Sequence, residues 1–125
     1  MNITSLTKHQ IAQAIIMQLE EQEEGIKIET DLFKNYVSPQ KITQQSIQQE
    51  YHPDILTILE NGETNVYEIE LDGNINAEKW RVFSLFTKLK RGVLYIVVPE
   101  SNLSEVEKII VEKEFQNIKL IYIPN

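Results

Sequence analysis

The chain has 125 residues, 42% of them hydrophobic and 25% charged, with no cysteine and a net charge of −7. That leaves room for one domain built on one core, residues 1–125. It excludes disulfide staples, thiolate zinc sites and cysteine nucleophiles. The acidic balance, 19 against 12, argues against a protein that coats nucleic acid, because such binding rests on neutralising phosphates. With only His9 and His52 present, a histidine-rich zinc site is excluded too. No apolar run approaches the roughly 20 residues that cross a bilayer, and MNITSLTKHQ lacks the basic start and apolar block of a secretory signal. A cytoplasmic protein that meets no membrane is the expectation. The charge is uneven: Glu20 to Glu24 holds four glutamates, whereas Lys79 to Arg91 holds five basic residues and no acid. That basic stretch reads either as a local cationic face or as a solvated helix side.

In chain order, Thr7 to Gln10 fits a capping box and opens a helix running to about Glu24. Its apolar stripe is Ile11, Ile15 and Leu19 with Ala12 and Ile16 beside them, and Gly25 is the stop. Ile26 to Tyr36 alternates loosely and reads as a first strand. Val37 to Tyr51 holds Ser38-Pro39 and a glutamine-rich run, and reads as a long connection containing at most a helical turn. Pro53–Leu59 and Thr64–Leu71 flank Asn61-Gly62 and form a hairpin.

After Asp72-Gly73 a helix starts near Asn74 or Asn76 and continues to Gly92. Trp80, Val82, Phe83, Phe86 and Leu89 form its broad apolar face. Val93–Val98 is a continuous apolar run that suits a strand buried on both sides. Ser104 to Glu107 reads as a second capping box, opening a helix through about Phe115 with Val106, Ile109 and Ile110 inward. Ile118–Ile123 is the last strand. The resulting order, αβββαβαβ, implies an α/β domain with a mixed sheet of about five strands flanked by helices.

The chemistry concentrates on the hairpin. Glu68 and Glu70 alternate along its second strand and therefore share one face, opposite Tyr67, Ile69 and Leu71. Asp54 heads the first strand. A two-residue loop at Asn61-Gly62 turns Asp54 to the wrong face. A three-residue loop, Asn61-Gly62-Glu63, sets it opposite Glu70, so an odd loop or a bulge is expected if the acids act together. Three carboxylates so placed suit a divalent cation with oxygen ligands.

Pro53-Asp54 on the second strand and Glu68-x-Glu70 on the third, within this element order, resemble the PD-(D/E)XK nuclease superfamily over most of the chain. The resemblance implies a restriction endonuclease-like core, magnesium (or manganese) held by Asp54 and Glu68, and hydrolysis of DNA phosphodiester bonds. Glu70 stands where the family usually has a lysine. It would orient water or join a second ion, and Lys79 on the following helix would supply the positive charge. Many relatives also place a glutamate on the first helix; the comparable positions here are Gln10 or Gln13, with Glu20 and Glu21 too near the helix end. Phosphodiester hydrolysis uses these residue types because the metal activates water and offsets charge building on phosphorus, and an ammonium adds to that offset. His52, next to Pro53, is within chain reach of phosphate, although a lone loop histidine seldom has a special role. The resemblance leaves two outcomes: a nuclease needing a dimer or partner to hold DNA, or an inactive relative that serves as a protein-binding or assembly module.

Overall fold

Thr7 closes a reciprocal capping box with Gln10. The Gln10 N–H donates to the Thr7 hydroxyl (3.2 Å), and the Thr7 N–H donates to the Gln10 side chain (2.9 Å). In this computed structural model, which describes residues 6–44 and 47–124, helix α1 (Lys8–Gln22) follows from that cap. Ile11, Ala12 and Ile16 are its buried stripe, as the fourth-residue spacing requires. Thr7→Ala removes an oxygen that satisfies an otherwise open helix donor. It should lower stability by about 1 kcal/mol and the melting temperature by roughly 4 °C, read by thermal unfolding.

Strand β1 is shorter than the pattern suggests, Lys27–Glu29. The chain then leaves the sheet, and the Thr30 N–H donates to the Val37 carbonyl across the loop (2.8 Å). The stretch expected to be a connection instead contains strands β2 (Ile42–Gln44) and β3 (Ile47–Tyr51), paired antiparallel as a separate ribbon. Gln45 and Ser46 of that stretch lie outside the described residues. The ribbon holds because Ile42 is buried and Tyr51 meets Phe83 edge-on, with ring centroids 6.1 Å apart. The element order therefore gains two strands over αβββαβαβ.

Strands β4 (Ile55–Ile58) and β5 (Thr64–Ile69) make the central hairpin. Helix α2 (Ala77–Leu89) crosses to β6 (Leu94–Pro99). A 3-10 turn, Glu100–Asn102, leads into α3 (Leu103–Glu112), and β7 (Ile118–Ile123) ends the order. The expected capping box at Ser104 does not form. The helix has already begun at Leu103, directly after the 3-10 turn, and Asn102 caps it without a side-chain hydrogen bond.

The main sheet has five strands in the order β1-β4-β5-β6-β7. Pairing is antiparallel from β1 to β5 and parallel from β5 to β7. One face carries Leu56, Val66, Leu94, Ile96 and Val98 against Trp80, Phe83 and Val106 of α2 and α3. The other carries Ile55, Tyr67, Ile69 and Val97 against α1. Strand β6 thus contributes to both layers, which is what its unbroken apolar run requires. Leu89 is the exception on α2; it is exposed, because the helix ends there.

The hairpin loop has three residues, as an odd loop requires, but they are Glu60, Asn61 and Gly62. The Gly62 N–H donates to the Leu59 carbonyl (2.9 Å) and the Leu59 N–H to the Glu63 carbonyl (2.8 Å). Gly62 has φ +91, the left-handed residue that closes a type I turn onto a bulge. Ile55 pairs with Tyr67, so the next step brings Asp54 level with Glu68 rather than Glu70.

Candidate active site

Asp54, Glu68, Glu70 and Lys79 meet at one end of the sheet. There β5, which lies between antiparallel β4 and parallel β6, comes to its end, and both α1 and α2 begin. Asp54 is held through its backbone: its N–H donates to Glu68 Oε2 (2.8 Å), and its carbonyl accepts from the Thr30 hydroxyl (2.7 Å). Its carboxylate accepts from the Ile69 N–H at Oδ2 (2.8 Å) and from the Lys8 ammonium at Oδ1 (3.2 Å). Glu68 projects into the α2 layer and is 1% exposed. Glu70 lies just past β5, with its N–H bonded to the Val97 carbonyl (2.8 Å).

Lys79 sits in the first turn of α2. The Asn76 side chain caps that turn by accepting from the Lys79 N–H (3.0 Å). From there the ammonium reaches Glu68 Oε1 at 2.8 Å and Glu70 Oε1 at 3.2 Å. A cation in a first helical turn opposes the helix dipole; the two carboxylates offset that. This is the placement expected of Lys79 from its position after the hairpin.

Burial pushes the Glu68 carboxyl up from 4.5 to about 7, and the neighbouring Asp54 charge adds to the rise. The Lys79 charge and hydrogen bond, and the Asp54 N–H, pull the other way without cancelling it. For Lys79, burial favours the neutral amine, but Glu68 and then Glu70 outweigh it and hold the ammonium above its ordinary value. One ion pair therefore moves its two members unequally. The less buried ammonium has two carboxylates to satisfy it. The carboxyl has one ammonium and a like-charged neighbour, so Glu68 is the member whose charged form is disfavoured. Strongly perturbed groups of this kind cluster where chemistry is done.

Among the described residues no three histidine or acidic side chains are disposed to hold a metal ion together. Magnesium is satisfied by one or two carboxylates and several waters. Asp54 and Glu68 offer two such carboxylates: each has one oxygen anchored by a backbone N–H, and each remaining oxygen, Asp54 Oδ1 and Glu68 Oε1, faces an ammonium. Both oxygens are donors of the kind a hard cation takes, and each now faces a lysine.

The helix-one positions take other roles. Gln10 belongs to the Thr7 cap, Gln13 is exposed, and Glu20 accepts from the Tyr36 hydroxyl (3.2 Å). What α1 brings to the acids is Lys8. Its signal in the sequence was weak: a cation at the first helical position, where the dipole disfavours one. Thr30, fully buried, was also missed, because its bond to Asp54 spans two strands. His52 is exposed. Of the rest of the basic run, Arg81 lies over the Phe115 ring at 5.5 Å, Lys88 donates to the Gln116 side chain and Arg91 to the Asn61 carbonyl. No helix among the described residues is long and apolar enough to cross a membrane. No family model, curated protein or solved structure matches the chain.

Proposed function

We propose that the chain is a restriction endonuclease-like domain that hydrolyses DNA phosphodiester bonds with Mg²⁺ or Mn²⁺. One observation carries this reading. An ammonium from the helix after the hairpin lies 2.8 Å from Glu68 and 3.2 Å from Glu70, with Asp54 hydrogen-bonded to the same Glu68. When bound, the ion would supply an activated water and offset charge on phosphorus. Asp54 and Glu68 would hold it. Glu70 would keep Lys79 in place, and Lys79 would set its charge beside the oxygens that become negative as the bond breaks. A chain of net charge −7 repels DNA at long range, so a second copy or a protein partner would help to hold the substrate.

The test is cleavage of single-stranded, duplex and branched DNA with Mg²⁺ or Mn²⁺. Glu68→Gln, which keeps the shape of the side chain, should lose activity by at least about a hundredfold. Cleavage that survives in this variant would assign the activity to a contaminant.

A second reading has its own observation: both oxygens of Asp54 and of Glu68 already have a donor. A network closed in this way suits an inactive relative acting as a binding or assembly module. Thermal unfolding separates the two, because a ligand that binds only the folded form raises the melting temperature. Millimolar Mn²⁺ should raise it by a few degrees in the wild type and not in Asp54→Asn. No rise in either protein favours the module.

A further inference from the structure

Lys8 is the first residue of α1, yet its ammonium lies 3.2 Å from Asp54 Oδ1, 46 residues away in sequence. The other Asp54 oxygen is fixed by the Ile69 N–H, so Oδ1 is the oxygen an incoming cation would take. The two lysines are held differently. Lys79 is 22% exposed and grips two carboxylates, so losing one leaves it anchored by the other. Lys8 is 40% exposed and lies within electrostatic reach of the exposed Asp72 carboxylate.

Charge balance points the same way. With its acids ionised, the cluster has three carboxylates against two ammoniums, an excess of one negative charge. A divalent ion added to both lysines would leave an excess of one positive charge. Releasing one lysine brings the cluster to neutrality, and Lys8 is the more exposed of the two and is held by one carboxylate of the cluster where Lys79 is held by two.

We infer that Lys8 is a displaceable counter-cation. A divalent ion arriving at the Asp54–Glu68 pair takes Asp54 Oδ1 and sends the Lys8 ammonium toward Asp72 and solvent, so that Lys8 sets how tightly the site holds metal. This rests on the metal-dependent reading above and adds a residue that regulates it. Lys8 touches the ligand rather than the reacting atoms, and acts as a positioning residue by competition.

The experiment is a Mn²⁺ titration of wild type, Lys8→Met and Lys8→Arg, followed by calorimetry and by water-proton relaxation, with no substrate present. Lys8→Met should bind Mn²⁺ roughly fivefold more tightly, the size expected from removing one partly exposed competing ion pair. Lys8→Arg keeps the competing charge and should stay within about twofold of wild type. Lys8→Gln gives the same reading as Lys8→Met should the methionine variant fold poorly. Equal affinity in wild type and Lys8→Met overturns the displacement and leaves the metal site standing. Weaker binding in Lys8→Met overturns it as well, since Lys8 would then assist the ion. Failure of both wild type and Lys8→Met to bind Mn²⁺ at millimolar concentration removes the metal site and this inference together.

Discussion

Replacing Lys79 with methionine should destabilise the domain by about 3 kcal/mol near neutral-to-alkaline pH, and lower its melting temperature by roughly 10 °C. The methionine stem fills the space of the lysine stem, so packing changes little. What is lost is the ammonium 2.8 Å from Glu68. Glu68 is 1% exposed and has the Asp54 charge beside it. Without Lys79 its charge is uncompensated, and breaking one side of a buried pair is far more damaging than replacing the whole pair with apolar groups. Glu68 can escape only by taking up a proton. The loss should therefore shrink on going to about pH 5, where the carboxyl is already neutral in the folded state. Urea unfolding at the two pH values measures both parts. A loss below about 1 kcal/mol that is the same at both would mean the pair is screened by solvent.

The face carrying the acids was legible because it depends on a period of two. Glu68 and Glu70 fall opposite Tyr67 and Ile69 whatever the neighbouring strands do, and the buried placement of Tyr67 and Ile69 against α1 agrees. The level at which Asp54 meets them depends on one loop. Asn61-Gly62 announced a turn, but the placement of its three residues turned on Gly62 taking the left-handed third position. A shift of one residue in the loop moved the partner of Asp54 from Glu70 to Glu68 and kept the face.

The β2–β3 ribbon was illegible for a different reason. Its described anchors, Ile42 and Tyr51, are its first and last residues in sequence and come together only once the two strands pair, and the glutamines between them show no alternation to read. At α3 a good capping-box pattern lost to geometry, because the chain leaves Pro99 already turning in a 3-10 helix. Lys8 and Thr30 were hidden because both act through contacts with Asp54, 46 and 24 residues away, which local periodicity does not encode. The acidic pair was thus visible from the chain alone, and the cations that complete it were visible only in part.

Glu68→Gln should remove a pH dependence from the stability curve. The folded-state pKa of Glu68 stands at about 7 against an ordinary 4.5. A carboxyl raised by folding holds its proton more tightly in the folded state. Its contribution is therefore fully present below about pH 4.5 and is lost as pH rises through about 7. At roughly 1.4 kcal/mol per unit, the loss across that window is on the order of 3 kcal/mol. Lys79, also raised, acts at alkaline pH: its contribution holds below 10.5 and fades only above it, so it leaves this window untouched. The stability of wild type relative to Glu68→Gln should then fall steadily from about pH 4.5 to about pH 7.5. Urea unfolding in half-unit steps measures this, and the carboxyl carbon shift of Glu68 locates its midpoint directly. A midpoint near the ordinary carboxylate value would remove the burial argument on which this rests. A midpoint near 7 would mean that the domain retains, at an acidic position only 1% exposed, a group that weakens it at neutral pH. Stability does not explain such a group, whereas the ion-binding role proposed above for the end of β5 would.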